Sequence, residues 1–323
     1  MKKISLVFLI VISIFSMSCS GVRIALLDTK FPLKEYTLEG SGTEKILLLP
    51  VNGVISDEPK KGLVRTLPSG VQQIVAQLNK AEKDKDIKAV LIKVNSPGGT
   101  ITASDILYNE LMSFKQRTGV KIAVMMMDVA ASGAYYIALP ADMIMAHPTT
   151  ITGSVGVLYL KPELFGLMDK FGIGVDVIKF GKHKDMGSPF RVYSAEEQVL
   201  IHNLTDELGE RFLSLVQKHR HLKENDLEEV KKARVFLPRE ALKLGLIDKI
   251  GYLPDAVVEV KKLAELAADS KVIVYRRSDY PEDNMYNIAS VSTEDASRPA
   301  INIELPESLS LKAGFYYLWP GAL

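Results

Sequence analysis

Cysteine is nearly missing from this sequence: Cys19 is the only one in 323 residues. A lone thiol excludes an internal disulfide framework and a cysteine-rich metal site. Histidine is scarce too, with five residues at positions 147, 183, 202, 219 and 221 and no His-Glu-x-x-His pattern. The signature of a zinc hydrolase is therefore lacking. Neither sign of charge dominates, since 40 lysines and arginines face 39 aspartates and glutamates for a net charge of +1. With no basic block, nucleic acid is excluded as the main partner. No internal repeat is visible. The remaining composition, 47% hydrophobic and 24% charged, is that of an ordinary globular chain. It can bury a full core as one large domain or two small ones.

The N-terminus carries a different message. "MKK" is followed by the apolar run "ISLVFLIVISIF" and then by the small residues "SMSCSG". A charged start, a short apolar stretch and small residues make a secretory signal rather than a core helix. The positive end stays in the cytoplasm, so the rest of the chain is expected outside it. Cys19 stands where a lipoprotein signal is cut and acylated, although Ser16 occupies the place usually held by leucine. An uncleaved anchor and a simple cleaved signal are the alternatives. The apolar run is short for a spanning helix, which needs about 20 residues. One lipid chain holds a protein only marginally, so a lipoprotein would use more than one.

Residues 20–44 read as a linker, residues 45–277 as the main domain and residues 278–323 as a C-terminal tail. From Lys45 to about Ala267 strands and helices alternate. "KILLLPVNGVI", "IKAVLIKVN" and "VKIAVMMMD" read as strands. Between them, "GVQQIVAQLNKAEKD" places Val71, Ile74, Val75 and Leu78 on one helical face, and "TASDILYNELMSFKQRTG" is a helix stopped by Gly119. Further on, "DMIMAH" and "VDVIKF" read as strands. "SAEEQVLIHNLTDELGERFLSLVQKHR" is a long helix opened by a Ser194/Glu197 capping box. "LPREALKLGLID" and "PDAVVEVKKLAELA" are two more helices. Alternation of this kind implies βα crossover units and an α/β fold. Beyond Arg277 the chain is polar and proline-bearing and reads as extended and partly disordered. It closes on "GFYYLWPGAL", seven of whose ten residues are apolar. Either this end packs on the core as a last strand or helix, or it docks on a hydrophobic groove. In the second case it acts as a self-inhibitory pseudo-substrate or contacts a neighbouring subunit or the membrane.

Three loops at strand ends, where α/β folds place their sites, carry possible chemistry. In "NSPGGT" (95–100), Pro97 fixes a turn, and Gly98 and Gly99 let backbone approach a ligand closely. Their N–H groups could hold an oxyanion, or the segment is a plain strand-to-helix turn. In "AASGAYY", Ser132 lies where a strand becomes a helix; it is either an N-cap or a nucleophile. In "KFGKHKDMGSPF" (179–190), Lys182, His183 and Lys184 lie beside glycine and proline, which taken alone is a solvated loop. A lysine serves as a general base only when burial lowers its pKa from about 10.4 to roughly 7–8, and a nearby hydroxyl can orient the neutral amine.

Together, "NSPGG", "AASGAYYIALPADMIMAHPTTITGSVGV" and "GKHKDMGSPFR" resemble the signature segments of the signal peptide peptidase A family. These are bacterial serine peptidases of the crotonase/Clp-protease superfamily. The resemblance spans about residues 45–267, and "ARVFLPREALKLGLIDKIG" fits the family's C-terminal segment. It implies an α/β superhelix of repeated ββα units. It also implies a Ser-Lys dyad: Ser132 as nucleophile, Lys184 as general base and Ser154 as the serine that orients the lysine. Gly133 and Gly99 would supply oxyanion-hole N–H groups, with Gly98 shaping the turn. Lys182 is the competing base, and Ser154 has a bland reading as a turn serine. No cofactor and no metal are required. His147 and His183 suggest a Ser-His-Asp triad, but His183 adjoins Lys184 and should point the opposite way in an extended segment.

The resemblance further implies a membrane-associated enzyme of the bacterial envelope, held by a lipidated Cys19 or by the apolar N-terminal segment. Cleaved signal peptides and other membrane-derived or unfolded segments would be its substrates. Narrow pockets would select small and aliphatic side chains. Family members of this single-copy length are similar to octameric rings whose sites take serine and lysine from neighbouring protomers. Two rivals remain: a crotonase-like acyl-CoA enzyme, disfavoured by an exported chain, and a catalytically silent peptide-binding scaffold of the same fold.

Overall fold

Strands buried on both faces dominate the centre of the molecule. The computed structural model describes residues 32–61, 66–277, 280, 283–287 and 312–322. The N-terminal apolar run, Cys19 and much of the C-terminal segment lie outside them. Every element below belongs to one unit, Leu33–Leu323. In chain order the strands are β1 (Lys34–Glu39), β2 (Lys45–Asn52), a short hairpin of β3 (Lys60–Lys61) and β4 (Thr66–Leu67), β5 (Ile87–Ser96), β6 (Gly98–Thr100), β7 (Lys121–Ala131), β8 (Met143–Ala146), β9 (Ile151–Gly153), β10 (Leu158–Leu160), β11 (Val235–Phe236), β12 (Lys249–Ile250), β13 (Lys271–Arg276) and β14 (Gly314–Leu318). The helices are α1 (Gly70–Ala81), α2 (Ile101–Thr118), α3 (Gly133–Tyr136), α4 (Phe165–Lys170), α5 (Ala195–Arg220), α6 (Glu224–Lys231), α7 (Pro238–Lys243) and α8 (Leu253–Leu263).

The main sheet runs β1-β13-β2-β5-β7-β8-β12, with β9 beside the end of β7 and β11 beside β9. Its central pairs are parallel; β1 with β13 and β9 with β11 are antiparallel. Parallel strands covered on both sides read as near-continuous apolar runs, as "KILLLPV" and "IKAVLIKV" do. Side chains alternate between the faces. Leu47, Leu49, Val90, Ile92, Val124 and Met126 pack on one side, in the same cluster as Val71, Ile74 and Leu78 of α1 and Leu107, Leu111 and Phe114 of α2. Ile46, Leu48, Leu91, Met125 and Met145 face α8 through Leu253, Val257 and Val260. Burying each of the α1 side chains contributes about 2 kcal/mol, so Leu78→Ala costs roughly 2–5 kcal/mol once its cavity is included.

Local chemistry sets the helix ends. Ser69 Oγ accepts from Gln72 N at 3.1 Å and Gln72 Oε1 accepts from Ser69 N at 3.1 Å, a reciprocal cap that starts α1. Gly119 ends α2 at φ 69°, a conformation that glycine adopts without strain. Ser194 and Glu197 cap α5 in the same reciprocal way, as the sequence predicts.

Two stretches differ from the sequence reading. "VDVIKF" (175–180) forms no strand. Its alternation is real, but no neighbouring edge takes it up, and Ile178 and Phe180 are almost wholly exposed. Residues 34–39, within the stretch read as a linker, form β1, which pairs with β13 at one edge of the sheet.

Candidate active site

Ser132 lies between β7 and α3 with φ 55° and ψ −117°. A non-glycine residue held there costs of order 1–3 kcal/mol and persists only where its surroundings over-determine it. They do so here. Ser132 N–H donates to Gly153 O at 2.8 Å, and its carbonyl accepts from Tyr136 N at 2.9 Å. The preceding Ala130 and Ala131 are fully buried. Ser132 is 1% exposed, and its Oγ has no hydrogen-bond partner among the described residues. It caps nothing, so the N-cap alternative falls. A buried hydroxyl left without a partner costs about 1–3 kcal/mol.

Three glycines converge on this turn. Gly98 has φ 101°. A Cβ added there would stand 2.7 Å from Gly133 N and 3.1 Å from Ala131 O. A Cβ on Gly133 would collide with Ser104 Oγ and stand 3.2 Å from Gly99 N. One on Gly99 would fall inside the Ile55 carbonyl. The missing Gly133 side chain therefore leaves room for the Gly99 backbone beside the Ser132 turn, and the missing Gly99 side chain leaves room for Ile55 behind it. Ile55 fixes the pair from behind: its N–H donates to Gly98 O at 2.8 Å, and its carbonyl accepts from Thr100 N at 3.0 Å.

Strand register brings in Ser154. β9 runs parallel to β7 with Ala131 opposite Gly153, so the next residues, Ser132 and Ser154, emerge side by side. Thr152 Oγ1 donates to Ala130 O at 2.7 Å and Thr150 Oγ1 to Met126 O at 3.0 Å, which locks this register. Ser154 also has a positive φ of 52°, and its N–H donates to Arg234 O at 2.9 Å.

Lys184 belongs to the segment between α4 and α5 and is exposed. Among the described residues its ammonium has no hydrogen-bond or ion-pair partner. Its loop is nonetheless well fixed. Arg191 bonds Asp185 at 2.8 and 2.9 Å and Glu197 at 2.8 and 2.5 Å. The Arg191 guanidinium holds the Glu197 carboxyl down to about 2. Arg191, followed by Lys179, also holds Asp185 well below the usual carboxylate range. Lys182 is committed elsewhere, in an ion pair with Glu196.

The profile of Peptidase family S49 matches residues 114–267, and that of Clp protease matches residues 68–151. The chain is 37% identical over 245 residues to a protein of Enterococcus faecium named for signal peptide peptidase SppA, covering 76% of this chain and 71% of that one. It is 34% identical to a protein of Methanocaldococcus jannaschii named as a protease, covering 83% and 85%. Protease 4 of Haemophilus influenzae is 30% identical over 77% of this chain, which spans 40% of that longer protein. The chain belongs to peptidase family S49. It is a serine peptidase of the signal peptide peptidase A family with a Clp-protease-like α/β fold.

In this peptidase the two candidate histidines have other partners than Ser132. His147 Nδ1 pairs with Thr149 Oγ1 at 2.8 Å and its ring meets Tyr252 edge-on. His183 Nε2 lies 3.3 Å from Glu196. Neither bonds Ser132 Oγ. Cys19 lies outside the described residues. Four residues near the turn escape sequence reading: Ile55, Ser104, Tyr136 and Tyr317. Ser104 Oγ donates to Thr100 O at 2.9 Å against Gly133. Tyr136 and Tyr317 stack with ring centroids 5.1 Å apart. Tyr136, one helical turn beyond Ser132, and Tyr317, in the aromatic end "GFYYLWPGAL", lie in segments the sequence singles out; Ile55 and Ser104 carry no local signal.

Proposed function

We propose that the peptidase is an envelope endopeptidase with a Ser132–Lys184 dyad that degrades cleaved signal peptides and other membrane-derived or unfolded segments. The observation that carries this reading is Ser132 itself: a buried, unpartnered hydroxyl on a strained turn, beside the converging backbone N–H groups of Gly133 and Gly99. A well-packed fold retains such a costly group where chemistry uses it. Lys184 is preferred to Lys182 because its amine is uncommitted. The relative named for signal peptide peptidase supports the substrate class.

Neutral Lys184 takes the Ser132 proton as Oγ attacks the peptide carbonyl. The Gly133 and Gly99 N–H groups hold the oxyanion, with Gly98 shaping their approach. The lysine then protonates the leaving amine, and water hydrolyses the acyl-enzyme. Ser154 orients the amine. A lysine must lose its water to act as a base, and Lys184 is exposed in the single chain. In the same segment between α4 and α5, Phe171, Ile178 and Phe180 are exposed as well, apolar side chains suited to a neighbouring copy. Lys184 therefore serves the Ser132 of a neighbour in a homo-oligomeric ring. The N-terminal segment, through a lipidated Cys19 or its apolar run, tethers the ring to the membrane.

The test is turnover of an unstructured apolar reporter peptide by the chain lacking its first 19 residues. Ser132→Ala and Lys184→Ala are each expected to lower kcat at least a thousandfold, and mixing the two to restore part of it. Retained activity in Lys184→Ala would remove the dyad. Two inactive variants that stay inactive when mixed in one assembly would remove the shared site.

A further inference from the structure

Two buried cations stand near the C-terminal ends of neighbouring strands, on one face of the main sheet. Lys93 on β5 and Arg276 on β13 are 4% and 3% exposed. Lys93 lies opposite Pro50 of β2. The parallel register of β13 on β2 pairs Ile273 with Leu47, and continued by three residues it brings Arg276 level with Pro50 from the other side. The compact proline ring leaves a gap between the two long side chains. Residues 283–287 cross over this gap. A cavity remains beneath them, lined among others by Leu38, Leu48, Pro50, Lys93, Arg276 and Asn287. Its volume is about 10 Å³, room for one water-sized group. The ends of strands in an α/β sheet are where such folds take up ligands.

Charge does not balance among the described residues that line this cavity. Arg276 is paired with Asp283, Nη1 donating to Oδ1 at 2.9 Å and Nη2 to Oδ2. Asn287 Nδ2 donates to the same carboxylate at 2.7 Å. The guanidinium also meets the rings of Tyr36 and Tyr280, 4.6 and 4.7 Å from their centroids. Its Nε is nevertheless buried with no hydrogen-bond partner among the described residues. Lys93 Nζ donates to Met285 O at 2.6 Å and to Asn287 O at 3.0 Å. Both acceptors are neutral carbonyls, and an ammonium has three N–H groups. One donor of each cation is thus unused, and the Lys93 charge has no carboxylate beside it. Desolvation pushes Lys93 down to about 8. A buried charge without a counter-charge is costly, and a small anion offsets that cost.

We propose that Lys93 and Arg276 bind one monatomic, monovalent anion of the halide class, chloride being the abundant one, between the main sheet and residues 283–287. The third N–H of Lys93 and the Nε–H of Arg276 are its donors. The cavity has no room for sulfate, phosphate or a carboxylate, and one surplus positive charge matches a monoanion. The anion ties the ends of β5 and β13 to the turn that crosses them, so its binding is read as stability of the fold. The site uses none of the groups around Ser132 and does not rest on the peptidase reading.

Thermal unfolding of the full-length protein is followed near neutral pH in sodium gluconate, with chloride or bromide replacing gluconate at constant ionic strength. Either halide should raise the midpoint saturably, by about 2–5 °C over gluconate. A general salt effect would not saturate. Lys93→Met keeps the length of the side chain and removes the surplus charge. It should match or exceed wild type in gluconate and lose the halide shift. In crystals soaked in bromide, the anomalous signal should show one peak bridging Lys93 Nζ and Arg276 Nε. Equal wild-type midpoints in halide and gluconate overturn the proposal, and so does a halide shift of equal size in Lys93→Met. A bridging peak without anomalous signal, a water only, overturns it as well. If Lys93→Met does not fold, the bromide crystal decides: a peak at this position upholds the site, and its absence removes it.

Discussion

Gly99 and Gly119 separate two uses of the same residue. A Cβ on Gly99 would fall inside the Ile55 carbonyl, whereas one on Gly119 would meet nothing within 4 Å. Gly119→Ala should therefore cost only the strain of its left-handed backbone, about 1–2 kcal/mol. Gly99→Ala must push β6 from Ile55 and should cost more than about 3 kcal/mol, with peptidase activity lost together with stability. Urea unfolding of both variants checks this, and equal losses would contradict the close approach. Ser154→Ala tests a positioning role. Its kcat should fall about 10–100-fold with KM little changed, and the acidic limb of the pH–rate profile, which reports deprotonation of the lysine base, should move. A uniform loss of folded protein would reduce Ser154 to a turn residue. At this scale the sequence was readable wherever the chemistry is local. Ser132 and the glycine pair announce themselves because strand-to-helix turns need small residues. Ile55 did not, since its partners lie more than 40 residues away along the chain, and for Tyr317 the aromatic segment was legible but not its partner Tyr136, about 180 residues away.

The loop that carries Lys184 is held by an element, not by its own packing. Arg191 joins Asp185 at one end of the loop to Glu197 in the first turn of α5, and Glu197 also closes the helix cap. Arg191 lowers the carboxyl pKa of Glu197 from the usual 4.5 to about 2. The group is thus stabilising above about pH 4.5, and that contribution fades as pH falls towards 2. A melting series from pH 6 to pH 2 should show Glu197→Gln converging on wild type at the acid end and falling below it near neutrality. A constant gap across the series would contradict the linkage. The α5 cap was legible because its residues lie three apart. "VDVIKF" was misread because alternation specifies a face, while a strand also needs an edge to pair with.

At the scale of the whole molecule, apolar side chains of the segment that carries Lys184, Phe171, Ile178 and Phe180, remain uncovered in a single chain. Ile178→Asp and Phe180→Asp should leave the monomer fold unchanged, since neither side chain packs on the core. They should shift the sedimenting species to lower mass and lower turnover in parallel. Unaltered mass in both would argue against assembly through this segment. The α/β class was legible from alternating apolar runs, but the strand order was not, because order is set by pairings far apart in sequence. One such pairing bears on how the protein is made. β13, the last strand of the main sheet, inserts between β1 and β2, the first two, with Lys271 beside Lys45. The sheet cannot close while its final strand is still being synthesised. A nascent chain stalled before residue 271 should stay sensitive to added protease throughout β2, and the Ser132 turn should not be rigid until the ribosome has moved well past it. The topology itself thus makes the last strand of the main sheet a condition for completing its first two.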